Sequence, residues 1–291
     1  MDNKIFTITD LERFSGIKAH TLRIWERRYA VLAPVRSAGN FRVYTLDEVK
    51  KILNIALLKR NGHRISHLCK NDPSDLDKKI GLLQHNTDKW QKGINDLTIN
   101  MYAVDPESFE WVLDELLMSW PIDILIEKII YPFLKLTKLL WIGHKLCEEH
   151  LVVTATRKKL ILAIESTKTY DLNSRIVILF LPDSTQLDLG LLYSNYYLKR
   201  NGIHVIYLGN DVSVQNIKSI IYCSSPAFIF TYLHPHDHFE VDKLSECINT
   251  YSPETKLVIG SYSETSTHYG QKNVLHLPFN AALEFLRENA S

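Results

Sequence analysis

Cysteine is scarce in this chain. Four occur in 291 residues, Cys69, Cys147, Cys223 and Cys247, and none forms a CxxC pair or any other metal-binding spacing. A disulfide framework and a zinc finger are therefore excluded, and reduced thiols in a cytoplasmic protein are expected. Long apolar runs are missing as well. The opening MDNKIFTITDLERF has no signal-peptide core, and the most apolar span, 122–143, is interrupted by Asp123, Glu127, Lys128, Lys135 and Lys138. No leader and no membrane-crossing segment are expected. No GxGxxG follows any apolar run, and there is no internal repeat, low-complexity tract or nucleophile triad. No dinucleotide fingerprint and no hydrolase triad is thus present, and the chain is not expected to be an enzyme.

Charge of one sign is absent overall but not locally. The chain carries 34 Lys+Arg and 33 Asp+Glu, a formal net charge of +1, which by itself argues against a nucleic-acid partner. Residues 1–75, however, hold 14 Lys+Arg against 8 Asp+Glu, net +6, which leaves 20 against 25, net −5, for the rest. A basic head on an acidic body is the arrangement of a DNA-binding domain joined to a module with another task. With 45% hydrophobic and 23% charged residues, the chain is long enough for two or three domains.

The basic charge concentrates in Thr21–Thr45, TLRIWERRYAVLAPVRSAGNFRVYT. On a helix, Leu22, Trp25 and Tyr29 form an apolar stripe at i, i+3 and i+7, while His20, Thr21, Arg23, Arg27 and Arg28 occupy the other faces. Such a helix can enter a major groove, where arginine reaches guanine edges or phosphates and threonine a thymine methyl. Pro34–Tyr44 reads as two short extended pieces around Ser37, Ala38 and Gly39, which puts Arg36 and Arg42 on opposite arms of a hairpin. A plainer account makes this a solvated basic helix and hairpin, but the ordered set within one stretch favours DNA recognition.

WERRY followed by Pro34, Arg36, Gly39, Arg42 and Tyr44 resembles the winged helix-turn-helix of the MerR family of transcription regulators. The resemblance covers the first quarter of the chain. It implies that Thr21, Arg23, Arg27, Arg28, Arg36 and Arg42 contact a double-stranded DNA operator. Tyr29 and Tyr44 would buttress the wing or meet phosphates, and Asn40 would be a turn residue that also touches the backbone. It further implies a homodimer or higher homo-oligomer on a pseudo-palindromic site.

Around this stretch, Thr9-Asp-Leu-Glu12 reads as a capping box opening a first helix that Gly16 closes. Lys18 stands where a Ser or Thr cap precedes the second helix in similar proteins, so a weaker cap is expected. A second box, Thr45-Leu-Asp-Glu48, opens a helix with Val49, Ile52, Leu53 and Leu57 inward and Asn61-Gly62 at its end. A short helix near Ile65–Leu68 completes a domain at 1–72. Asn71–Asp75 reads as a hinge. A helical pattern then runs from Leu76 to about Tyr102, restarts at Asp105-Pro106 and breaks at Trp120-Pro121, giving a helical bundle over 76–169.

After Tyr170 the pattern alternates strand and helix. RIVILFL (175–181), HVIYLG (204–209), AFIFTYL (227–233), KLVIG (256–260) and VLHL (274–277) are apolar runs separated by amphipathic stretches. Strands buried on both faces mean a parallel sheet covered by helices. The fold class is thus multidomain, α and α/β, with a flavodoxin-like doubly wound five-stranded sheet at 174–291. Its ligand crevice would lie at the strand carboxyl ends: 182–190, 209–211, the segment after Leu233, and 260–264.

This order of parts resembles the cobalamin-binding, light-sensing branch of the MerR family. In that branch a Glu/Asp-x-His-x-x-Gly pattern follows the first strand, and its histidine ligates cobalt. Aligned on Gly190, this chain has Thr185 at the carboxylate position and Leu187 at the histidine position. Leucine offers no lone pair, so no lower cobalt bond can form. Trp141 with Glu149-His150 resembles the Trp and Glu-His pair over the upper face of the cofactor, at a shorter interval. Leu187 thus counts against cobalamin, with base-off or His150-only ligation the routes left open. His234, His236 and His238 alternate in a loop at the ligand edge, without a cysteine or carboxylate–histidine partner at metal spacing. No metal is assigned to them.

Three accounts stand. The first is a sequence-specific regulator whose body senses a small molecule or sets the oligomer. The second is a corrinoid-binding enzyme or carrier subunit, and the third a regulator controlled only by a protein partner.

Overall fold

The computed structural model of the protein describes residues 5–37, 39–137, 147–167, 174–182, 189–233, 240–261 and 273–290, with backbone alone at 147–151. The chain divides into two compact units, Met1–Lys138 with Leu146–Val152, and Leu139–Lys145 with Val153–Ser291.

The first unit opens with helix α1, Ile8–Ser15. The sequence pattern put the capping box at Thr9 and Glu12; it lies two residues earlier. Asp10 N donates to Thr7 Oγ1 at 3.3 Å, and Asp10 Oδ2 accepts from Thr7 N at 2.9 Å. Glu12 is left for a longer-range task. Helix α2, Ala19–Tyr29, begins at Lys18 with no cap from its own side chain. Instead Glu12 Oε2 accepts from Ala19 N at 3.0 Å, and Lys18 Nζ pairs with Glu12 Oε1 at 3.2 Å. The weak cap read from Lys18 is thus made good by the preceding helix, which also fixes the turn between the two.

Strands β1, Val35–Arg36, and β2, Arg42–Val43, form the antiparallel hairpin, with Arg36 directly opposite Arg42. Phe6 bridges Tyr44 through two 2.9 Å backbone hydrogen bonds. Helix α3, Leu46–Arg60, has the expected box: Glu48 N donates to Thr45 Oγ1 at 3.3 Å and Thr45 N to Glu48 Oε2 at 2.8 Å. The short helix α4 spans Ile65–Leu68. Leu11, Phe14, Leu22, Trp25, Tyr44, Ile52 and Leu57 share one core, and it continues to Leu76 and Ile80 of α5, Pro73–Gly81.

The helical pattern from Leu76 to Tyr102 is two helices, α5 and α6, Asn86–Ala103. Gly81 ends the first, and Gln84-His85-Asn86-Thr87 supplies no apolar side chain to carry the stripe onward. Asp105, accepting from Ser108 N at 2.9 Å, caps α7, Pro106–Ser119. Helix α8, Ile122–Ile124, follows Pro121, then a π-helical turn at Leu125–Ile130 leads into α9, Tyr131–Thr137. The widened turn lies just before Pro132, which has no N–H to give the regular ladder. Helix α10 spans Cys147–Ser166, and the division between the units falls within it.

The second unit is the parallel sheet. Its elements are β3 (Val177–Phe180), α11 (Leu189–Arg200), β4 (Val205–Gly209), α12 (Val214–Ser224), β5 (Phe228–Tyr232), α13 (Val241–Tyr251), β6 (Lys256–Ser261), β7 (Val274–Pro278) and α14 (Phe279–Ala290). Every strand expected from sequence forms, trimmed or extended by one or two residues. The order is β4-β3-β5-β6-β7, all pairs parallel. This is the doubly wound flavodoxin-like order, with its switch point between β3 and β5. Ile178, Phe180, Ile229, Leu257 and Ile259 point to a core with α12 and α13. On the other face Phe228 meets Phe285 of α14, with ring centroids 5.7 Å apart.

Candidate DNA interface

Burial decides which face of α2 is available. Leu22 is fully buried and Trp25 nearly so, Tyr29 is half-buried, and Lys59 of α3 places its ammonium 5.9 Å from the Trp25 ring. These contacts turn His20, Arg23, Arg27 and Arg28 outward, all exposed, with Thr21 half-buried beside them. Arg28 stacks its guanidinium 5.7 Å from the Tyr29 ring, which limits the freedom of that long side chain. A helix held by one apolar stripe thus presents a row of arginines and a threonine to solvent.

The wing is internally braced. Arg36 Nη1 donates to the Asn40 carbonyl at 2.8 Å and to Asn40 Oδ1 at 3.3 Å, while Asn40 takes the left-handed turn conformation, φ 62°. Ser37 N donates to the Phe41 carbonyl at 2.9 Å, and Phe41 at the tip is 75% exposed. Arg42 Nε donates to Glu26 Oε1 at 3.0 Å, and the Tyr44 hydroxyl donates to Glu26 Oε2 at 3.3 Å. One carboxylate on α2 therefore grips both β2 and the residue after it. Tyr44 is fully buried, and burial together with the Glu26 carboxylate pushes its hydroxyl up to about 12. Tyr44 is thus packed under the wing with its hydroxyl on Glu26.

Arg36 and Arg42 face each other across the hairpin, an arrangement that costs energy between like charges. Glu26 neutralises one, and the other spends a donor on Asn40. Between the start of α1, Arg23 of α2 and the wing lies an opening of about 340 Å³, bordered by Arg23, Arg36, Asn40 and Arg42. Three guanidinium groups around one opening make a surface suited to phosphate oxygens.

The arginines stand on α2 and on the two arms of the wing, and three carboxylates place them; the sequence pattern gives Glu12 and Glu48 only capping roles and gives Glu26 none. Glu12 holds the start of α2. Glu26 joins α2 to the wing. Glu48 both caps α3 and accepts from Ala33 N at 2.6 Å, which fixes the chain entering the wing. Glu26 stands next to Arg27 and Arg28, and its partners Arg42 and Tyr44 lie sixteen and eighteen residues further along the chain, so no local pattern marks it.

The residues singled out for a ligand fall differently. Trp141, Thr185, Leu187, His234, His236 and His238 lie outside the described residues, and for Glu149 and His150 only the backbone of α10 is described. Gly190 is buried in the first turn of α11, with the ring of Tyr232 packed against it. Cys69 and Cys247 are thiols raised by burial, and Cys223 is exposed. Among the described residues no group of three or more His, Cys, Asp or Glu is arranged to hold a metal ion, and no helix is long and apolar enough to cross a membrane.

Two short helices joined by a tight turn, a two-stranded wing and a buttressing third helix define a winged helix-turn-helix, a class of DNA-binding domain. Within it, residues 6–70 match the MerR HTH family regulatory protein, so the chain carries a MerR-type DNA-binding domain. It is 25% identical over 240 residues to the HTH-type transcriptional repressor CarH of Myxococcus xanthus, covering 79% of each chain. To the repressor CarA of the same organism it is 25% identical over 206 residues, 70% of this chain and 68% of that one. Among solved structures, the monomethylamine corrinoid protein of Methanosarcina barkeri superimposes with a TM-score of 0.54 at 15% identity, over 68% of this chain and 98% of that one. That likeness is one of fold.

Proposed function

We propose that the protein regulates transcription as a homodimer or higher homo-oligomer that binds a pseudo-palindromic double-stranded operator through α2 and the wing. Arg23, Arg27 and Arg28, with Thr21, face the major groove; Arg36 and Arg42 meet the flanking phosphates, with Asn40 at the turn between them. Tyr29 and Tyr44 support this surface. The observation that carries the proposal is the Glu26 joint. It couples the recognition helix to the wing, so that both meet DNA as one surface whose spacing is set before binding. The protein acts in the cytoplasm and performs no catalysis.

The test is selection of binding sites from a pool of randomised duplexes. An inverted repeat should be enriched, and Arg27→Ala should weaken the enrichment. Retention of duplexes with no shared sequence would contradict specific recognition.

For the body, a regulator governed by a protein partner or by its own assembly is favoured over a corrinoid enzyme or carrier, because Leu187 replaces the cobalt-ligating histidine and Tyr232 fills space beside Gly190. Thr185, Trp141, Glu149 and His150 would be the residues to probe should a small molecule be found.

A further inference from the structure

In an open parallel sheet, a ligand enters at the carboxyl ends of the strands where the order reverses. Here that point lies between β3 and β5, and Tyr232 is the last residue of β5. Its ring is only 2% exposed. On one side lies Gly190 of α11, where a Cβ would sit 3.0 Å from Tyr232 Oη and 3.1 Å from Cε1 and Cζ. On the other lies Gly260, the register partner of Tyr232 on β6, where a Cβ would sit 3.3 Å from Tyr232 Cβ and 3.3 Å from the Phe230 ring. Phe279, at the start of α14, meets the tyrosine edge-on with centroids 5.8 Å apart and planes at 83°.

The missing side chain at Gly190 thus leaves a slot on the α11 and α14 face of the sheet that holds the Tyr232 ring, while Gly260 makes room for Tyr232 Cβ and the neighbouring Phe230 ring. A side chain at Gly190 would push that ring aside. A flat cofactor entering here would have to displace a buried aromatic that already has its packing partners. The residues present do not fit a corrinoid on this face, and Leu187 lacks the lone pair needed to anchor one.

We infer that Tyr232 is the built-in occupant of the crevice where this fold admits a planar ligand, and that the sheet domain takes no corrinoid there. The inference stands independently of DNA binding by the head.

Two measurements on the full-length protein test it. Thermal melts of the unmutated chain, Gly190→Ala, Tyr232→Val and the double variant report the coupling. Gly190→Ala should lower the transition by roughly 3–8 °C when Tyr232 is present. With Val at 232 it should leave the transition unchanged or raise it, because alanine is the better helix former. An equal loss in both backgrounds would show that the tyrosine ring does not fill the slot. The second measurement needs no variant. The protein is incubated with hydroxocobalamin in the dark, passed over a gel-filtration column and examined for visible absorbance. A colourless protein peak is expected, and one retained equivalent of corrinoid per chain would overturn the inference.

Discussion

Replacing Arg42 with alanine separates the two things that residue is positioned to do. Its Nε is committed to Glu26 at 3.0 Å, with side chains 39% and 14% exposed, so the two terminal nitrogens remain to meet a phosphate. Loss of one phosphate contact per protomer should reduce the slope of log affinity against log salt by about 0.9 for each protomer. Affinity should fall roughly 5- to 30-fold, about 1–2 kcal/mol, on operator and random duplex alike, because a phosphate contact carries no sequence information. Removing the partly exposed ion pair should also cost about 0.5–1 kcal/mol of stability. Glu26→Gln provides the control: it keeps the Arg42 charge, weakens the joint and should leave the salt slope intact or steeper. Fluorescence anisotropy of a labelled duplex across a salt series, with a melt of each variant, reads all of this. If Arg42→Ala left slope and affinity unchanged, the wing would not lie on DNA. If Glu26→Gln lost as much slope as Arg42→Ala, Arg42 would act only by holding α2.

Arg27→Ala should weaken operator binding by about 1–3 kcal/mol with little effect on random duplex if the side chain meets a base edge; equal losses would make it a phosphate contact. The Tyr44 hydroxyl, raised to about 12 in the folded chain from an ordinary value near 10, contributes stability that is fully present below pH 10 and is lost as pH rises to 12. Denaturant titrations across that window should show about 2 kcal/mol of loss for the unmutated head and a flatter profile for Tyr44→Phe. Thr45→Ala, which removes the cap of α3, should cost about 1 kcal/mol in the same assay. Leu22→Ala, at a fully buried position under the recognition helix, should cost about 2–5 kcal/mol and lower DNA affinity through loss of order in α2.

What could be read from the sequence follows from how local each determinant is. The Thr45–Glu48 box, Pro73 and Pro106 at helix starts, and the β-branched runs of the sheet act within a few residues, so the elements they set were legible. The stripe of Leu22, Trp25 and Tyr29 fixed the outward face of α2 for the same reason. Placement of the first capping box failed because two Thr–acid pairs overlap in Thr7–Glu12. The choice between them depends on Glu12 reaching Ala19 in the next helix. The break between α5 and α6 was hidden by apolar residues that keep helical spacing on both sides of it. Glu26, Tyr232 and the bond from Ala33 to Glu48 have no local signal, since each depends on a partner distant in the chain. In the sequence Tyr232 is one aromatic among several in a buried strand, and the glycine that makes room for its ring, Gly190, lies on another element.

Hydrogen–deuterium exchange with and without a selected duplex tests the central claim most directly. The account predicts slowed exchange in α2 and in the wing amides of Arg36, Ser37, Asn40 and Phe41, with the strands of the sheet domain unchanged. Protection confined to the sheet domain, with the wing exchanging as in the free protein, would contradict it.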